Sequence, residues 1–320
     1  MTTTHSTFDV IVLGGGAAGL SAALVLSRAR RSVAVVDAGS PRNAPAAHLH
    51  GFLSRDGMPP CELLAAGRAE VEGYGGVMLA GTATRIARTP AGFDVLLTDG
   101  TRLYARGLLV ATGLVDELPD VDGLRDRFGR DVLHCPYCHG YEVRDQTVGV
   151  LGGSPNSLQQ VQLVRQWADD VVFFTNGTNL TVDIREQLVA RAIGVVEGEV
   201  GALHVQDDEL YAVLVNGVGA VRRQALFVAP RFVPSSELLV DLGCAVDEHG
   251  WVLVDKTGLT SVPGVYAAGN AINPRAQLIT AAGEGSAAAI ALNNCLVEQD
   301  VRDAVDLFRL GMPVPALHTL

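Results

Sequence analysis

Two cysteines two residues apart are the part of this sequence best suited to covalent chemistry. They are Cys135 and Cys138, in the stretch His-Cys-Pro-Tyr-Cys-His at 134–139. This spacing suits a disulfide closed across the first turn of a helix, and Pro136 is compatible with that turn. A helix N-terminus stabilises a thiolate, which makes such a pair reactive. The sequence therefore favours a redox-active dithiol.

Other uses of the cysteine pair stay open on the sequence alone. A structural zinc site needs four ligands, usually two such pairs, and the remaining cysteines are isolated: Cys61, Cys244 and Cys295. No metal site is therefore predicted. Cys-x-x-Cys-His is also the signature of c-type haem attachment, but that chemistry normally needs export, and the N-terminus does not read as a signal peptide. Two inert buried cysteines are the third alternative, and the flanking histidines argue against it.

His139 directly follows the second cysteine and is expected to act as a base. The ordinary pKa of histidine lies near neutral, so the ring can take a proton from an attacking thiol. A helix-surface histidine without a catalytic role is the alternative.

A glycine-rich turn near the N-terminus predicts a dinucleotide-binding unit. An apolar run over 8–13 is followed by Gly14-Gly15-Gly16-Ala17-Ala18-Gly19, a helix over 20–30 and a second apolar run that ends at Asp37. Gly14 permits the turn, Gly16 lets a pyrophosphate meet backbone N–H groups, and Gly19 lets helix and strand pack closely. Asp37 can hydrogen-bond a ribose diol. The alternative is a glycine-rich turn in an unrelated α/β fold.

The same order of elements recurs over 148–174, but its turn departs from the dinucleotide-binding pattern. Ser154 and Ser157 stand where the second and third motif glycines are expected, and Pro155 removes a backbone N–H that could have bound phosphate. The second strand ends without an acid for a ribose diol, and no pair of arginines for a 2′-phosphate follows. We expect nicotinamide dinucleotide binding to be lost or badly weakened here. A variant turn that still binds through other contacts is the alternative.

Turn residues also predict two hairpins: Asp99-Gly100 between 93–97 and 102–105, and Asn216-Gly217 between 210–215 and 221–228. A separate buried strand is expected over 108–111, and a helix of small residues over 286–296 is expected to pack against the first domain. The proline-rich segment 39–67 is expected to begin as a loop in which His48 and His50 are solvated histidines. The alternative is that these two residues and Arg55 line the entrance to a site.

The order of these motifs resembles that of the low-molecular-weight thioredoxin reductases, over nearly the whole chain. The matching segments are Gly14–Gly19, Ala111-Thr112-Gly113, Cys135–Cys138, 267–270 and 280–283. The resemblance implies an α/β fold of two Rossmann-like dinucleotide-binding domains, each a three-layer ββα architecture, one inserted in the other. Residues 1–116 and 246–320 would form the FAD-binding domain. Residues 117–245 would form an NAD(P)-type domain that carries the cysteine pair, with a degenerate nicotinamide site. The resemblance also implies a homodimer.

Three departures from the thioredoxin reductase pattern point to a subgroup. His139 replaces an acid, the second glycine motif and its basic cluster are missing, and Gly269 is followed by Asn270 where Gly-Asp is usual. Residues 135–142, Cys-Pro-Tyr-Cys-His-Gly-Tyr-Glu, resemble the pattern of the dithiol oxidases of holomycin, gliotoxin and romidepsin biosynthesis. This resemblance implies a flavin-dependent enzyme that closes an intramolecular disulfide in a small natural product and passes the electrons to O2.

The resemblance also implies roles for individual residues. Cys138 would be the sulfur next to the flavin, Cys135 the sulfur that exchanges with substrate, and His139 the base. Asp37 would hold the adenosine ribose, and Asn270 would lie near the ribityl chain. The full set of expected FAD contacts is Gly14, Gly16, Ala17, Ala18, Gly19, Asp37, Arg42, Ala111, Thr112, Gly113, Gly269, Asn270, Gln277, Leu278 and Thr280.

Composition limits the class of partner. The formal net charge is -11 at pH 7, so the protein repels nucleic acid and anionic membranes. No apolar run is long enough for a membrane span, and a cytoplasmic location is expected. A small-molecule dithiol and O2 are the expected partners. A disulfide reductase supplied by NADPH, ferredoxin or another donor is one rival function, and a non-catalytic redox-sensing flavoprotein is another.

Overall fold

A computed structural model describes residues 5–312 and divides the chain into two compact units. Unit 1 contains the chain up to Pro41, Glu62–Leu114, and the chain from Pro234 onward. Unit 2 contains Arg42–Cys61 and Val115–Val233. Segment 42–61 thus groups with the cysteine pair, and the chain returns to unit 1 at 234, whereas the sequence predicts 246. Which dinucleotide each unit binds stays a prediction.

The strands of the described residues are β1 (His5–Leu13), β2 (Val33–Asp37), β3 (Val77–Ala80), β4 (Ala83–Thr89), β5 (Gly92–Leu97), β6 (Arg102–Val110), β7 (Leu114–Glu117), β8 (Val132–Leu133), β9 (Val148–Leu151), β10 (Val171–Phe174), β11 (Gly194–Val196), β12 (Val200–Gln206), β13 (Glu209–Val215), β14 (Gly219–Arg222), β15 (Ala225–Phe227), β16 (Arg231–Pro234) and β17 (Val265–Ala267). The helices are α1 (Ala17–Arg28), α2 (Pro60–Gly73), α3 (Leu124–Arg127), α4 (Pro136–His139), α5 (Ser157–Val164), α6 (Val182–Ala190), α7 (Glu237–Asp241) and α8 (Leu278–Arg309), with a 3₁₀ turn at Gly269–Ala271.

The main sheet of unit 1 runs in the order β3-β2-β1-β6, all parallel, with β17 parallel to the second half of β6. The hairpin β4–β5 continues the sheet from the first half of β6. Side chains of β1 alternate between two cores: Val10 and Val12 lie in the core that includes α1 and α8 residues, and Ile11 and Leu13 in the other. Because both faces are covered, β1 is a nearly continuous apolar run.

Unit 2 has a parallel sheet in the order β11-β10-β9-β15-β8 and a three-stranded antiparallel sheet β12-β13-β14. Two apolar cores cover its strands, one around Phe173 and Phe227 and the other around Phe174 and Leu226. The parallel strands of both units confirm the α/β fold class.

Several predicted elements are confirmed and three need correction. The hairpin at Asp99-Gly100 forms as predicted. The second hairpin is shorter, because β14 ends at Arg222 and residues 225–227 form β15 in the parallel sheet. The separate strand over 108–111 is wrong, since β6 continues through Gly107, where a Cβ would lie only 2.7 Å from Leu292.

The predicted helix over 286–296 is the middle of α8, which has 32 residues. Nothing in 278–309 stops the helix, because it contains no proline, and one of its two glycines, Gly285, lies where the chain packs closely against Ala18. No helix within residues 5–312 is long and apolar enough to cross a membrane.

Candidate active site

The cysteine pair of unit 2 is closed as a disulfide at the start of α4. The Cα atoms of Cys135 and Cys138 are 5.3 Å apart. Cys135 is the N-cap residue and Pro136 occupies the first helical position, which does not need a backbone N–H. The backbone N–H groups of Cys138 and His139 donate to the carbonyl of Cys135 at 3.1 and 3.2 Å. Cys135 is 8% exposed and Cys138 is half-buried.

Buried contacts from α5 hold the start of α4. The Gln160 amide nitrogen donates to the carbonyls of His134 and Val228 at 2.8 and 2.9 Å, which ties the residue before the pair to the end of β15. A Cβ on Gly140 would lie 2.9 Å from the Trp167 ring, so the absence of a side chain lets the end of α4 pack on that indole. The short helix is therefore fixed at both ends.

His139 is the last residue of α4 and is half-buried, and its role as a base stays a prediction. Its Nδ1 is buried and, among the described residues, has no hydrogen-bond partner. Burial lowers the pKa of His139 below its ordinary value, the Glu142 carboxylate opposes that shift, and His50 adds to it. Because a histidine with a lowered pKa is neutral at physiological pH, the ring is ready to accept a proton.

His50 belongs to the same unit and is not the solvated loop histidine that the sequence predicts. Its side chain is 21% exposed. Its Nδ1 lies 3.3 Å from Oδ2 of Asp56 and its Nε2 lies 3.4 Å from Oε1 of Glu142. No short-range pattern links His50 to Glu142, so sequence reasoning missed this contact.

His134, just before the pair, lies beside a partly buried ion pair. The Arg42 guanidinium donates to both oxygens of Asp116 at 2.7 Å, and one of its nitrogens lies 3.4 Å from Nε2 of His134. Burial lowers the pKa of His134 to about 4, Arg42 and His139 act in the same direction, and Asp116 opposes them. Arg42, expected to contact FAD, lies in unit 2. Its cofactor role stays a prediction.

The first glycine turn of unit 1 has the close approaches that its sequence predicts. Gly14 has φ of 101°, and a Cβ there would lie 2.3 Å from the Ala111 carbonyl oxygen. A Cβ on Gly19 would lie 1.8 Å from the carbonyl oxygen of Gly14. At Gly16, by contrast, a Cβ would meet no protein atom within 4 Å. Packing therefore demands glycine at 14 and 19, whereas glycine at 16 leaves open space at the start of α1.

The 3₁₀ turn at Gly269–Ala271 and helix α8 both pack against this glycine turn. A Cβ on Gly269 would lie 2.9 Å from the Ala18 side chain, and one on Gly285 would lie 2.0 Å from the Ala18 carbonyl oxygen. Glu284 accepts hydrogen bonds from the Gly269 N–H at 3.0 Å and from the Asn273 amide at 2.7 Å. Glu284 and Gly285 are not among the predicted site residues, although they directly follow the matching segment 280–283.

The other predicted FAD contacts of unit 1 described here lie at the start of α8 and at the end of β2. The Asn270 amide donates to the carbonyls of Asn273 and Ala276, just before Gln277 caps α8. Leu278 and Thr280 form the first turn of that helix. Asp37 accepts from the Gly15 N–H at 3.2 Å and from Arg68 at 2.8 Å, a partner that the sequence did not indicate.

The N-terminal strand of the unit places Ala111-Thr112-Gly113 next to the glycine turn. The Ala111 N–H donates to Leu13 at 2.7 Å, and the Thr112 hydroxyl donates to the Ser235 carbonyl at 2.7 Å. The structure thus brings Gly14, Ala18, Ala111 and Gly269 together, while the predicted FAD contacts themselves stay predictions.

The second glycine turn, in unit 2, uses its polar groups internally. The Gly153 N–H donates to the Thr178 hydroxyl at 2.7 Å, and the Ser157 N–H and hydroxyl both donate to the Ser154 carbonyl at 3.0 and 2.7 Å. Pro155 has no N–H to offer. Two backbone donors of this turn, those of Gly153 and Ser157, are therefore already bonded within the protein.

The cavity beside this turn also lacks positive charge. It has a volume of about 560 Å³ and is lined by residues of 175–178 and 197–199, including Glu197 and Glu199 and no lysine or arginine. Glu197 is paired with Arg185 at 2.7 Å, so the Glu199 carboxylate is the charge that repels a 2′-phosphate or a pyrophosphate here. In residues 5–312, no group of three His, Cys, Asp or Glu side chains could hold a metal ion.

Comparison with known proteins identifies the class. The model of the pyridine nucleotide-disulphide oxidoreductase family matches residues 8–285, and the chain belongs to that family. Within it, the two curated relatives described below are named thioredoxin reductases, which confirms the predicted resemblance, and the chain is an oxidoreductase of that type.

Three similar proteins illustrate the match. The chain is 31% identical over 327 residues to thioredoxin reductase sirT of Leptosphaeria maculans, covering 92% of this chain and 97% of that one. It is 30% identical over 300 residues to a probable thioredoxin reductase of Arthroderma benhamiae, covering 83% and 74%. The crystal structure of HlmI is 53% identical, with a TM-score of 0.92, and covers 95% of this chain and 97% of that one.

Proposed function

We propose that this chain is an FAD-dependent dithiol oxidase. Its substrate is a small natural product with two thiols, which it closes to an intramolecular disulfide through Cys135 and Cys138. O2 is the final acceptor and leaves as H2O2. The family membership, the disulfide at the start of α4 and the similarity to HlmI support this proposal.

The first glycine turn fits the pyrophosphate of FAD. Gly16 begins α1 without a side-chain cap, and α1 has no acidic residue in its first turn. A helix N-terminus of this kind attracts phosphate through its backbone N–H groups and its dipole. The open space at the Gly16 Cβ position is where a side chain would meet the ligand. Gly14, Gly16, Ala17, Ala18 and Gly19 would hold the pyrophosphate.

The chain's own residues then perform the thiol chemistry. His139 removes the proton from one substrate thiol, and the thiolate attacks the disulfide at Cys135, which releases Cys138 as a thiolate. The second substrate thiol, also as a thiolate, attacks the sulfur of the mixed disulfide that belongs to substrate. The cyclic disulfide leaves, and the substrate has lost two electrons and two protons, while the cysteine pair has gained the electrons. FAD, when bound, supplies the route by which that electron pair passes from the cysteines to O2.

The second glycine turn carries the proposal. A pyridine nucleotide needs free backbone donors at 152–157, and the donors of Gly153 and Ser157 are bonded to Thr178 and Ser154. Without hydride from a nucleotide, a dithiol substrate can itself supply the electron pair, and the cysteine disulfide accepts that pair. This requirement favours an oxidase over a nucleotide-driven reductase.

Oxygen consumption tests the proposal. The purified holoenzyme is mixed with a panel of small dithiols, including dithiothreitol, in air-saturated buffer without pyridine nucleotide. We expect O2 uptake matched by H2O2 formation, and no uptake with the Cys135→Ser variant. Absence of O2 uptake with every dithiol would reject the oxidase.

A disulfide reductase is the second candidate, because the two relatives described above carry the name thioredoxin reductase. It predicts that NADPH, or another donor, reduces the bound flavin and that the cysteine pair then reduces a disulfide substrate. Reduction of a protein disulfide in the presence of NADPH, without O2 uptake in the dithiol assay, would favour this candidate.

A further inference from the structure

Two tyrosines expose their rings beside the cysteine pair of unit 2. Tyr137 lies between Cys135 and Cys138 in the chain and is 67% exposed. Tyr141 follows it by four residues and is 63% exposed. The backbone stays helical through Gly140, with φ of -64° and ψ of -34°, so residues four apart lie on the same side of this turn. The thiol chemistry proposed above uses neither ring.

The ring of Tyr137 is held in place by Trp167. The two ring centroids are 5.4 Å apart and the ring planes are nearly perpendicular, at 87°, which is the favoured edge-to-face arrangement. Trp167 is itself placed by α4, because its indole packs where a Cβ of Gly140 would otherwise lie, at 2.9 Å. The Tyr137 ring is therefore oriented by a neighbour while two thirds of the residue stay accessible.

The ring of Tyr141 is held in place by Arg144. The guanidinium carbon lies 4.1 Å from the ring centroid, within the range of a cation–π contact. One nitrogen of the same guanidinium donates to the Tyr141 carbonyl at 2.7 Å, and another lies 3.4 Å from the Asp145 carboxylate. Because the guanidinium covers one side of the ring and the residue is still 63% exposed, the other side is open to a ligand.

The size of this aromatic surface favours a small ligand. An aromatic side chain buries about 150–250 Å² when it is fully covered, so two rings offer at most about 500 Å². A stable protein partner covers about 800 Å² on each side. The residues that follow along the chain are exposed and charged: Glu142, Arg144 and Asp145. A flat ring that stacks on the two tyrosines matches the available area and lies within about one helical turn of the cysteines.

We propose that Tyr137 and Tyr141 form a stacking surface that selects dithiols carried on a flat, unsaturated ring for exchange with the Cys135–Cys138 disulfide. The inference rests on the proposed function for the reaction that follows binding, and it adds the class of substrate. In that reaction two S–H bonds of the substrate and the bond between the cysteine sulfurs break, and the two substrate sulfurs join. The electron pair passes to the cysteines, and the two protons go to the cysteine sulfurs or to solvent.

The test compares two dithiols that differ only in the ring. In ortho-xylylene dithiol the carbons between the sulfurs include an edge of a benzene ring, and in tetramethylene dithiol they form a plain chain of the same length. Both close a six-membered cyclic disulfide. Each reduces the anaerobic holoenzyme, and the electron pair is counted from alkylated cysteine thiols and from flavin absorbance in the same sample. The aromatic rate constant divided by the aliphatic one gives a discrimination ratio, and comparing variants cancels the intrinsic reactivity of the reagents.

Removal of either ring should lower the discrimination ratio. Tyr137→Ala and Tyr141→Ala should each reduce it by about two- to tenfold, the factor that corresponds to about 0.5–1.5 kcal/mol for an aromatic pair. Tyr137→Phe and Tyr141→Phe keep the ring and should keep the wild-type ratio. Tyr74→Ala is the matched control, since Tyr74 is a 55% exposed tyrosine of unit 1 that also stacks with an arginine. It should leave the ratio unchanged.

A wild-type ratio in either alanine variant that folds would overturn the proposal, and so would phenylalanine variants that lose as much as the alanine ones. Circular dichroism and flavin content identify a variant that fails to fold, and the other alanine variant then decides alone. A larger fall in the rate with reduced thioredoxin than with the aromatic dithiol would assign the rings to a protein partner and also overturn it.

The two proposals fail in distinguishable ways. Because the reduction is followed without O2, an enzyme that fails the oxygen assay still yields a discrimination ratio. A disulfide that reacts with both dithiols at a wild-type ratio in every variant removes only the stacking surface. A disulfide that neither dithiol reduces removes the proposed function and this inference together.

Discussion

The guanidinium of Arg42 donates two hydrogen bonds of 2.7 Å to the carboxylate of Asp116, a residue 74 positions further along the chain. This pair lies against His134, the residue before the cysteine pair, and one Arg42 nitrogen is 3.4 Å from its ring. Positive charge at that distance, together with burial, keeps the imidazole neutral. The residue that leads into the redox disulfide is therefore a structural, uncharged histidine at physiological pH.

Acidification should destabilise the protein through His134. Its pKa is about 4 in the folded protein, against an ordinary value of 6.5. Between these two pH values the unfolded chain therefore takes up a proton that the folded chain does not. The contribution of His134 to the free energy of unfolding is fully present above pH 6.5. It is lost as the pH falls toward 4, by at most about 3 kcal/mol. The measurement is the denaturant midpoint as a function of pH. His134→Gln should lose much of this pH dependence, and His249→Gln, at an exposed histidine, should keep it; equal slopes in all three proteins would refute the assignment.

Substitutions in the first glycine turn should separate ligand binding from folding. Gly16→Ala places a methyl group where no protein atom lies within 4 Å, so we expect a normal fold and unfolding midpoint but a lower flavin content. Gly19→Ala places it 1.8 Å from the Gly14 oxygen, so we expect a loss of about 1–3 kcal/mol of stability as well. Flavin-to-protein absorbance ratios and denaturant unfolding give both quantities. Full flavin content in Gly16→Ala would mean that the pyrophosphate of FAD does not bind at this turn.

Loss of either sulfur of the disulfide should stop turnover without loss of cofactor. Cys135→Ser and Cys138→Ser each remove one partner of the exchange, so dithiol oxidation should fall to background while the protein stays yellow. Cys61→Ser, at an exposed free cysteine, is the matched control and should keep full activity. Oxygen uptake with dithiothreitol measures all three. Activity in a variant that lacks both Cys135 and Cys138 would mean that the dithiol reacts by another route.

Local patterns predict the parts of the site that depend on neighbours in the chain. Gly14 and Gly19 are glycines because a strand, a turn and a helix meet within a few residues, and Pro136 starts α4 for a similarly local reason. The break in the second turn could also be predicted, since Ser154 and Pro155 alter the motif itself. The hydrogen bond from the Gly153 N–H of this turn could not be predicted, because its acceptor, Thr178, lies beyond the next strand.

The contacts that tune the site are long-range and have no pattern in the sequence. His50 meets Glu142 across 92 positions, and Glu284 reaches Gly269 from another element. The same limit explains the misread hairpin: β15 resembles a continuation of β14, and only pairing with β9 and β8 moves it to the parallel sheet. Tertiary packing, not local propensity, decides such cases.

The most direct test of the central claim is an anaerobic titration of the holoenzyme with NADPH and then NADH, followed at the flavin absorption band. Because the turn at 152–157 has no free donors for a pyrophosphate at Gly153 and Ser157, we expect the flavin to stay oxidised with either nucleotide. Dithiothreitol added to the same cuvette should then bleach it. Rapid bleaching by either nucleotide would contradict the claim that electrons enter this protein only from thiols.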